Sequence, residues 1–162
     1  GLEQSSSLNG EALMVSIKAG PTIFPFLGPE SGAWRFALAG DVPLRLKLDL
    51  GASTLDCDLS SVQLSFLGIN AGASSIRVQL PQGEGYSLVD IQSGAASIDL
   101  QIPPETAARI RLEQGASGIH LDEGRFLRCV GMTDVFQSAD YEENRRQVEI
   151  HLEGGANSVL VH

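Results

Sequence analysis

The sequence predicts an all-β fold, a parallel β-solenoid of about five rungs with a capping segment at each end. Three observations favour it. A short apolar–polar pattern around a Gly-Ala-Ser or similar step, as in LGINAGASSIRVQL, occurs five times. The composition, with 18 glycines and 6% aromatic residues, suits many short strands and tight turns. The third observation is the spacing of the step glycines, which lie 21, 22, 21 and 40 residues apart, at Gly51, Gly72, Gly94, Gly115 and Gly155.

Each repeat predicts two half-buried strands. Before the glycine, apolar residues occupy alternate positions, as in Leu46, Leu48 and Leu50. After the glycine the alternation resumes with the opposite phase, as in Leu55, Cys57 and Leu59. Alternation with period two indicates strands with one buried face, and the change of phase requires a corner between them.

The Gly-Ala-Ser step itself predicts the chemistry of that corner. We expect each glycine to adopt a positive φ, because glycine has no Cβ to oppose it. We expect the nearby serines to cap backbone groups that the bend leaves without partners. These serines are Ser53, Ser74 and Ser117.

Stacking in register would place equivalent residues in columns, about 4.8 Å apart. Two outward columns are the candidate interaction surface. The first, five residues after each glycine, contains Asp56, Arg77, Asp99 and His120. The second, two residues before each glycine, contains Asp49, Asn70, Gln92 and Glu113. The simpler interpretation of both columns is a set of surface ladders that hold the register, each exposed pair contributing at most about 1 kcal/mol.

The pattern weakens at both ends of the chain. We predict a flexible leader at 1–12 and one domain at 13–162. Within that domain we assign an N-terminal cap to 13–40, with a strand at 34–38, regular repeats to 41–124, an irregular insertion or cap to 125–147 and the final repeat to 148–162. The insertion should cover the end of the stack, through buried side chains of Phe126, Leu127, Val130, Met132, Val135 and Phe136.

Charge and hydropathy exclude some partners. The formal net charge is -9, so the chain lacks the basic surface that nucleic acid requires and would be repelled by anionic lipid. No apolar run approaches the roughly 20 residues of a membrane helix, so we expect no direct insertion by this segment. The start, GLEQSSSLNGEA, carries no secretory signal, and we expect any anchor to belong to a segment outside this sequence.

No residue pattern predicts a metal or cofactor. His120, His151 and His162 fall in different columns without ligand spacing. Cys57 occupies a position that neighbouring repeats fill with valine or leucine, so we expect a small buried side chain, and we predict no disulfide between Cys57 and Cys129. The glycines mark corners rather than phosphate-binding loops.

Two rival functions stay open at this point. A polysaccharide-acting enzyme would need close carboxylates, and Asp56, Asp58 and Asp99 form the one group that could supply them. Arg77 would lie between Asp56 and Asp99 and neutralise them, which disfavours catalysis. A surface adhesin or glycan-binding module would use exposed aromatic rings, but the chain has one Trp and two Tyr.

The run DVPLRLKLDLGASTLDCDLSSVQLSFLGINAGASSIRVQLP resembles the toast-rack domain found behind transmembrane helices in bacterial cell-envelope stress proteins. Relatives include the LiaF-like proteins of the response to cell-wall-active antibiotics. The late stretch GMTDVFQSADYEENRRQVEIHLEGGANSVLV is similar to the closing pattern of that family, carried here by Tyr141, Glu142, Glu143 and Asn144. The resemblance extends over residues 40–162.

The resemblance implies a right-handed parallel β-solenoid, similar to a single-stranded β-helix. It also implies a noncatalytic module for sensing or protein–protein interaction, tethered to the membrane of the cell envelope. We therefore expect a protein partner and a possible homo-oligomer, with no catalytic residue to carry over. A surface adhesin or glycan-binding module is the alternative, and a β-helix enzyme acting on polysaccharide is less favoured.

Overall fold

The computed structural model describes residues 2–9, 12–19, 42–113, 116–155 and 157–162. These residues form an all-β fold, and no helix occurs among them. The strands are β1 (Leu2–Asn9), β2 (Ala12–Ala19), β3 (Leu44–Leu50), β4 (Ser53–Asp58), β5 (Leu64–Gln79), β6 (Gly85–Gln101), β7 (Ala107–Glu113), β8 (Ala116–Leu121), β9 (Phe126–Arg128), β10 (Val135–Ser138), β11 (Arg146–Gly154) and β12 (Asn157–Val161).

One open sheet bends at the corners into two layers. Each repeat has two arms, which are the strand before its corner glycine and the strand after it. The first layer has the order β1-β2-β3-β5-β6-β11-β7-β10-β9 and contains the arms that precede the corners. The second layer contains the arms that follow the corners, in the order β4-β5-β6-β12-β8. β5 and β6 pass through the corner without a break and belong to both layers. Because the buried side chains of both arms form one core cluster, the two layers face each other.

Parallel pairing of equivalent residues confirms the predicted alternation. In the first layer Leu46 pairs with Leu67 and Leu67 with Val89. All three are at most 2% exposed, because alternate side chains of each strand point into the core. The hand of the coil and the number of rungs stay predictions.

The final repeat does not stack in sequence order. β11 pairs with both β6 and β7, and β12 pairs with both β6 and β8. The repeat at the end of the chain therefore lies between its third and fourth repeats. β10 pairs with the outer edge of β7, so the last repeat cannot add its first strand there. Insertion between the third and fourth repeats instead gives its strands hydrogen-bond partners on both sides.

The corner glycines do not have the predicted backbone conformation. Among the described residues, positive φ occurs at Gly85, Gly131 and Asp134, and at none of the corner glycines. The space at the corners differs: a Cβ on Gly155 would lie 2.7 Å from the Gly94 carbonyl oxygen, which is too close, and one on Gly72 would lie 3.4 Å from that of Gly51, which is an ordinary contact. The expectation of positive φ is wrong for the four described corners, and close approach to the neighbouring corner excludes a side chain at Gly155. Gly115 lies outside the described residues.

One of the three capping serines is confirmed. Ser74 donates a hydrogen bond from its hydroxyl to the carbonyl oxygen of Gly51, over 2.8 Å. Ser53 has a buried hydroxyl without a hydrogen-bond partner. The side chain of Ser117 lies outside the described part of the structure. Serine therefore joins one corner to the corner before it at the second repeat.

The N-terminal end adds strands rather than a leader. Residues 2–9 form β1, which pairs antiparallel with β2 from Leu2↔Ala19 to Asn9↔Ala12. β2 in turn pairs in parallel with β3. The prediction of a flexible leader is wrong for these residues, because the pairing with β2 satisfies their backbone groups. The strand expected at 34–38 lies outside the described residues.

The irregular segment forms a hairpin that extends the first layer. β10 pairs with β7, and β9 pairs with β10. Its predicted burial holds for Phe126 and Val135, and Phe136 is partly buried. It is wrong for three side chains, of which one points away from the core on β9 and two lie in the exposed turn between β9 and β10. These are Leu127, Val130 and Met132, at 56%, 101% and 57% exposure.

Candidate functional site

The outer face of the second layer carries the predicted charged column. Asp56 of β4 pairs with Arg77 of β5, which pairs with Asp99 of β6. The next position is Leu160 of β12, and His120 of β8 follows it. The expected contact between Asp99 and His120 is therefore wrong, because the inserted repeat separates their strands.

The charges in this column are paired at its centre. Arg77 Nε lies 3.1 Å from Asp99 Oδ2. His162 Nε2 lies 2.8 Å from Asp99 Oδ1. His162 is the residue after β12 and lies two positions beyond Leu160, so it is not itself a member of the charged column. Burial alone would raise the pKa of Asp99, but hydrogen bonds from His162 and Arg77 outweigh it and hold that pKa below its ordinary value. Asp99 is therefore a fixed anion, held between two cationic or hydrogen-bonding side chains.

A column of small hydroxyls lies beside the charged column. Its members occupy the position three residues after each corner glycine, and all four are exposed. They pair in register across β4, β5, β6 and β12 and are Thr54, Ser75, Ser97 and Ser158. This column is not among the predicted ones, although the position three residues after each glycine carries a hydroxyl in four of the five repeats. We call the hydroxyl and charged columns together the ladder face.

A shallow groove of about 350 Å³ runs over the ladder face. Its lining includes all four residues of the hydroxyl column. It also includes the residues of the charged column, which are Asp56, Arg77, Asp99, Leu160 and His120. Asp56 and Asp99 do not converge there, since Arg77 separates their strands. Among the described residues, no group of three or more His, Cys, Asp or Glu side chains could hold a metal ion. The groove therefore presents hydrogen-bonding groups along a line across the strands.

The second predicted column lies on the other layer. Asp49, Asn70 and Gln92 pair in order on β3, β5 and β6. Glu153 of the inserted strand then separates Gln92 from Glu113, so the predicted order is wrong at that step. Because the two columns belong to outer faces of different layers, the structure does not join them into one site. A groove of about 390 Å³ lies near this column at the corner.

Cys57 lies on the inner side of β4 in line with Val78, as the sequence predicts. Both Cys57 and Cys129 are free thiols. Burial raises the pKa of Cys57 to about 11, with further contributions from the negative charges of Asp56 and Asp58. A thiol with this pKa stays protonated at neutral pH and is a poor nucleophile.

A polar cluster on the first layer fastens the inserted strand. Glu149 of β11 accepts a hydrogen bond from the Tyr86 hydroxyl of β6, over 2.8 Å, and forms an ion pair of 3.1 Å with Arg111 of β7. His151, on the same strand, places its Nε2 at 3.1 Å from Glu149 Oε1. The sequence pattern does not reveal this cluster, because its members meet only when the last repeat lies between β6 and β7.

The Tyr-Glu-Glu-Asn run forms the turn that leads into β11. Tyr141 is buried, and the Arg109 guanidinium lies 4.3 Å from its ring centre. Asn144 donates to the Glu105 carbonyl oxygen and accepts from the Arg146 backbone N–H. These contacts join the turn to the neighbouring strands, which explains the local sequence without a ligand.

The contacts of Asp99 predict a pH effect. A carboxyl whose pKa is lowered in the folded state stabilises the fold above its ordinary pKa, and this contribution is lost as the pH falls through the folded value. Asp99→Asn should lower the free energy of unfolding by about 1 kcal/mol at neutral pH and should lose this difference below about pH 4. Urea denaturation across pH 2 to 7 measures it. Asp56→Asn is the control, and an equal effect there would contradict the role of the Arg77 and His162 contacts.

A family comparison places the chain. The profile for the N-terminal domain of toast_rack, DUF2154, matches residues 2–101. The chain belongs to the toast-rack family. The match begins earlier than the resemblance noted at residues 40–162, and it ends at the last residue of β6. It therefore contains the ladder-face residues of β4, β5 and β6.

The toast-rack chain also resembles one solved structure in fold. That structure is of a protein from Clostridium sporogenes described as a putative cell adhesion protein, with a TM-score of 0.75 and 17% identity, and the match covers 99% of this chain and 75% of that one. At this identity the likeness concerns the fold alone. A comparison with curated proteins finds no significant match. Within the described residues, no helix is long and apolar enough to cross a bilayer.

Proposed function

We propose that this toast-rack chain is a noncatalytic interaction module of a bacterial cell-envelope protein and that it binds through the ladder face. Membership of the toast-rack family supports the envelope assignment, and the fold of the adhesion-protein neighbour is consistent with it. In the whole protein, a segment outside this chain would hold the module at the membrane.

One observation carries the assignment of the ladder face. Four strands repeat an exposed hydroxyl at the same register position, each beside a side chain of the charged column. The groove above these columns is lined by both columns, and Arg77 separates the carboxylates of Asp56 and Asp99. A face of this kind offers many equivalent weak contacts, which suits binding of an extended surface or polymer better than bond cleavage.

Binding to isolated envelope tests the proposal. The purified chain should co-sediment with envelope fragments of its source bacterium and should release no soluble fragments from them. Arg77→Gln should reduce the affinity by about tenfold, because the exposed guanidinium of Arg77 orders the centre of the ladder face. Lys47→Gln, which removes an exposed cation from the first layer, is the matched control. Equal binding by the wild type and Arg77→Gln, or turnover of the envelope glycan, would contradict the proposal.

A further inference from the structure

We infer that the ladder face binds a linear, uncharged polysaccharide that lies along the stack, with about one sugar residue on each rung. The inference rests on the proposed function, because it names the ligand of the same face.

The repeat distance of the face is the first argument. Paired strands lie about 4.8 Å apart, so the hydroxyl column presents an equivalent group at that interval. A pyranose residue in an extended chain advances by a similar distance. Successive sugars would therefore meet Thr54, Ser75, Ser97 and Ser158 at nearly equal intervals. In a β-1,4-linked chain alternate sugars present opposite edges, and a hydroxyl can serve either edge because it both donates and accepts.

The repeat distance also argues against a peptide along the same groove. An extended peptide advances by about 3.3 to 3.4 Å per residue, so its groups would lose register with the rungs after one or two contacts. A polyanion is disfavoured by the net charge of -9 and by the carboxylates of Asp56 and Asp99 in the lining. The remaining extended polymer of suitable period is a neutral glycan.

The chemistry of the lining matches a sugar, which has apolar C–H surfaces and hydroxyl edges. Leu160 belongs to the lining, within the charged column, and is 43% exposed. Its side chain offers apolar contact. The side chains of the hydroxyl column can donate or accept hydrogen bonds, and the Asp56 carboxylate accepts them. The contacts among Arg77, Asp99 and His162 hold the polar groups in place before a ligand arrives.

No Phe, Tyr or Trp side chain is among the residues that line the groove. Stacking on these large rings, which gives single sugars much of their affinity, is therefore unavailable at this face. Each sugar would contribute little, and useful affinity would accumulate only over several rungs. Strong dependence on the length of the glycan follows from this arrangement.

Oligosaccharides of β-1,4-linked N-acetylglucosamine and of β-1,4-linked glucose are the probes, each as a disaccharide, tetrasaccharide and hexasaccharide. Titration calorimetry on the full chain should give at least about tenfold tighter binding to the hexasaccharide than to the disaccharide in one of the two series. Ser97→Arg, which would fill the centre of the groove, should abolish this binding. Ser6→Arg is the matched control, because Ser6 is exposed on β1 of the other layer. Thermal unfolding of both variants checks that they are folded.

Four results would contradict the glycan inference or the proposed function. Absence of binding to every oligosaccharide, or equal affinity at all lengths, would overturn the glycan inference. Envelope binding that depends on Arg77 but disappears after protease treatment of the envelope would show a protein ligand, which overturns the inference and leaves the proposed function in place. Envelope binding unchanged by both Arg77→Gln and Ser97→Arg would overturn the proposed function itself.

Discussion

Gly155→Ala should lower the free energy of unfolding by about 2–3 kcal/mol, because the new methyl group would overlap a backbone atom. Its Cβ would lie 2.7 Å from the carbonyl oxygen of Gly94. That oxygen cannot move away easily, since the Gly155 N–H also donates to the Ser93 carbonyl oxygen, over 3.2 Å. Relief would require the inserted repeat to shift relative to β6. Urea denaturation of the purified variant measures the loss.

The other corners provide graded controls for this result. A Cβ on Gly94 would lie 3.7 Å from the Gly72 oxygen, which is an ordinary contact, and a Cβ on Gly51 would have nothing within 4 Å. Gly51→Ala should therefore change the free energy of unfolding by less than about 0.5 kcal/mol. If the glycines were needed for positive φ, alanine at Gly51 and alanine at Gly155 would be similarly harmful. Equal losses at Gly51 and Gly155 would exclude the explanation by close approach.

Ile150→Ala should cost about 2–5 kcal/mol, the range for removing a large side chain from a packed core. Ile150 is fully buried and lies in β11 between Val89 of β6 and Ile110 of β7. Both neighbours are also fully buried, so the space left by the side chain would not be filled by solvent. The loss should appear as a lower midpoint in urea with little change in the slope.

Leu160→Ala is the matched control for Ile150→Ala. Leu160 belongs to the same repeat but points outward and is 43% exposed. Its truncation should cost less than about 1 kcal/mol, because much of the side chain already contacts water. If the final repeat packed loosely on the end of the stack, the two substitutions would have similar small effects. That outcome would contradict the central position of β11 and β12.

The arms of each repeat could be predicted from sequence because alternation is a local property. Leu46 and Ile76 are buried because each lies on the face of its strand that points into the core. This holds whichever strand is the neighbour. The columns of the first three repeats follow for the same reason. Equivalent positions in consecutive repeats pair in register, as in Asp56, Arg77 and Asp99.

The order of the last two repeats could not be predicted in this way. The repeats have similar edges, so local pattern does not distinguish β7 from β11 as the neighbour of β6. The choice depends on where β9 and β10 pack and on contacts such as Glu149 with Tyr86 and Arg111. These contacts join residues distant in sequence, and they exist only in the assembled sheet.

The sequence alone determined the all-β fold, the family and the charged column of the first three repeats, because each rests on a pattern that repeats along the chain. The tertiary structure decided that Leu160 separates Asp99 from His120, that His162 reaches Asp99 and that close packing explains the corner at Gly155. Those features depend on which strand lies beside which. That arrangement is set by the packing energy of the whole sheet rather than by any single repeat.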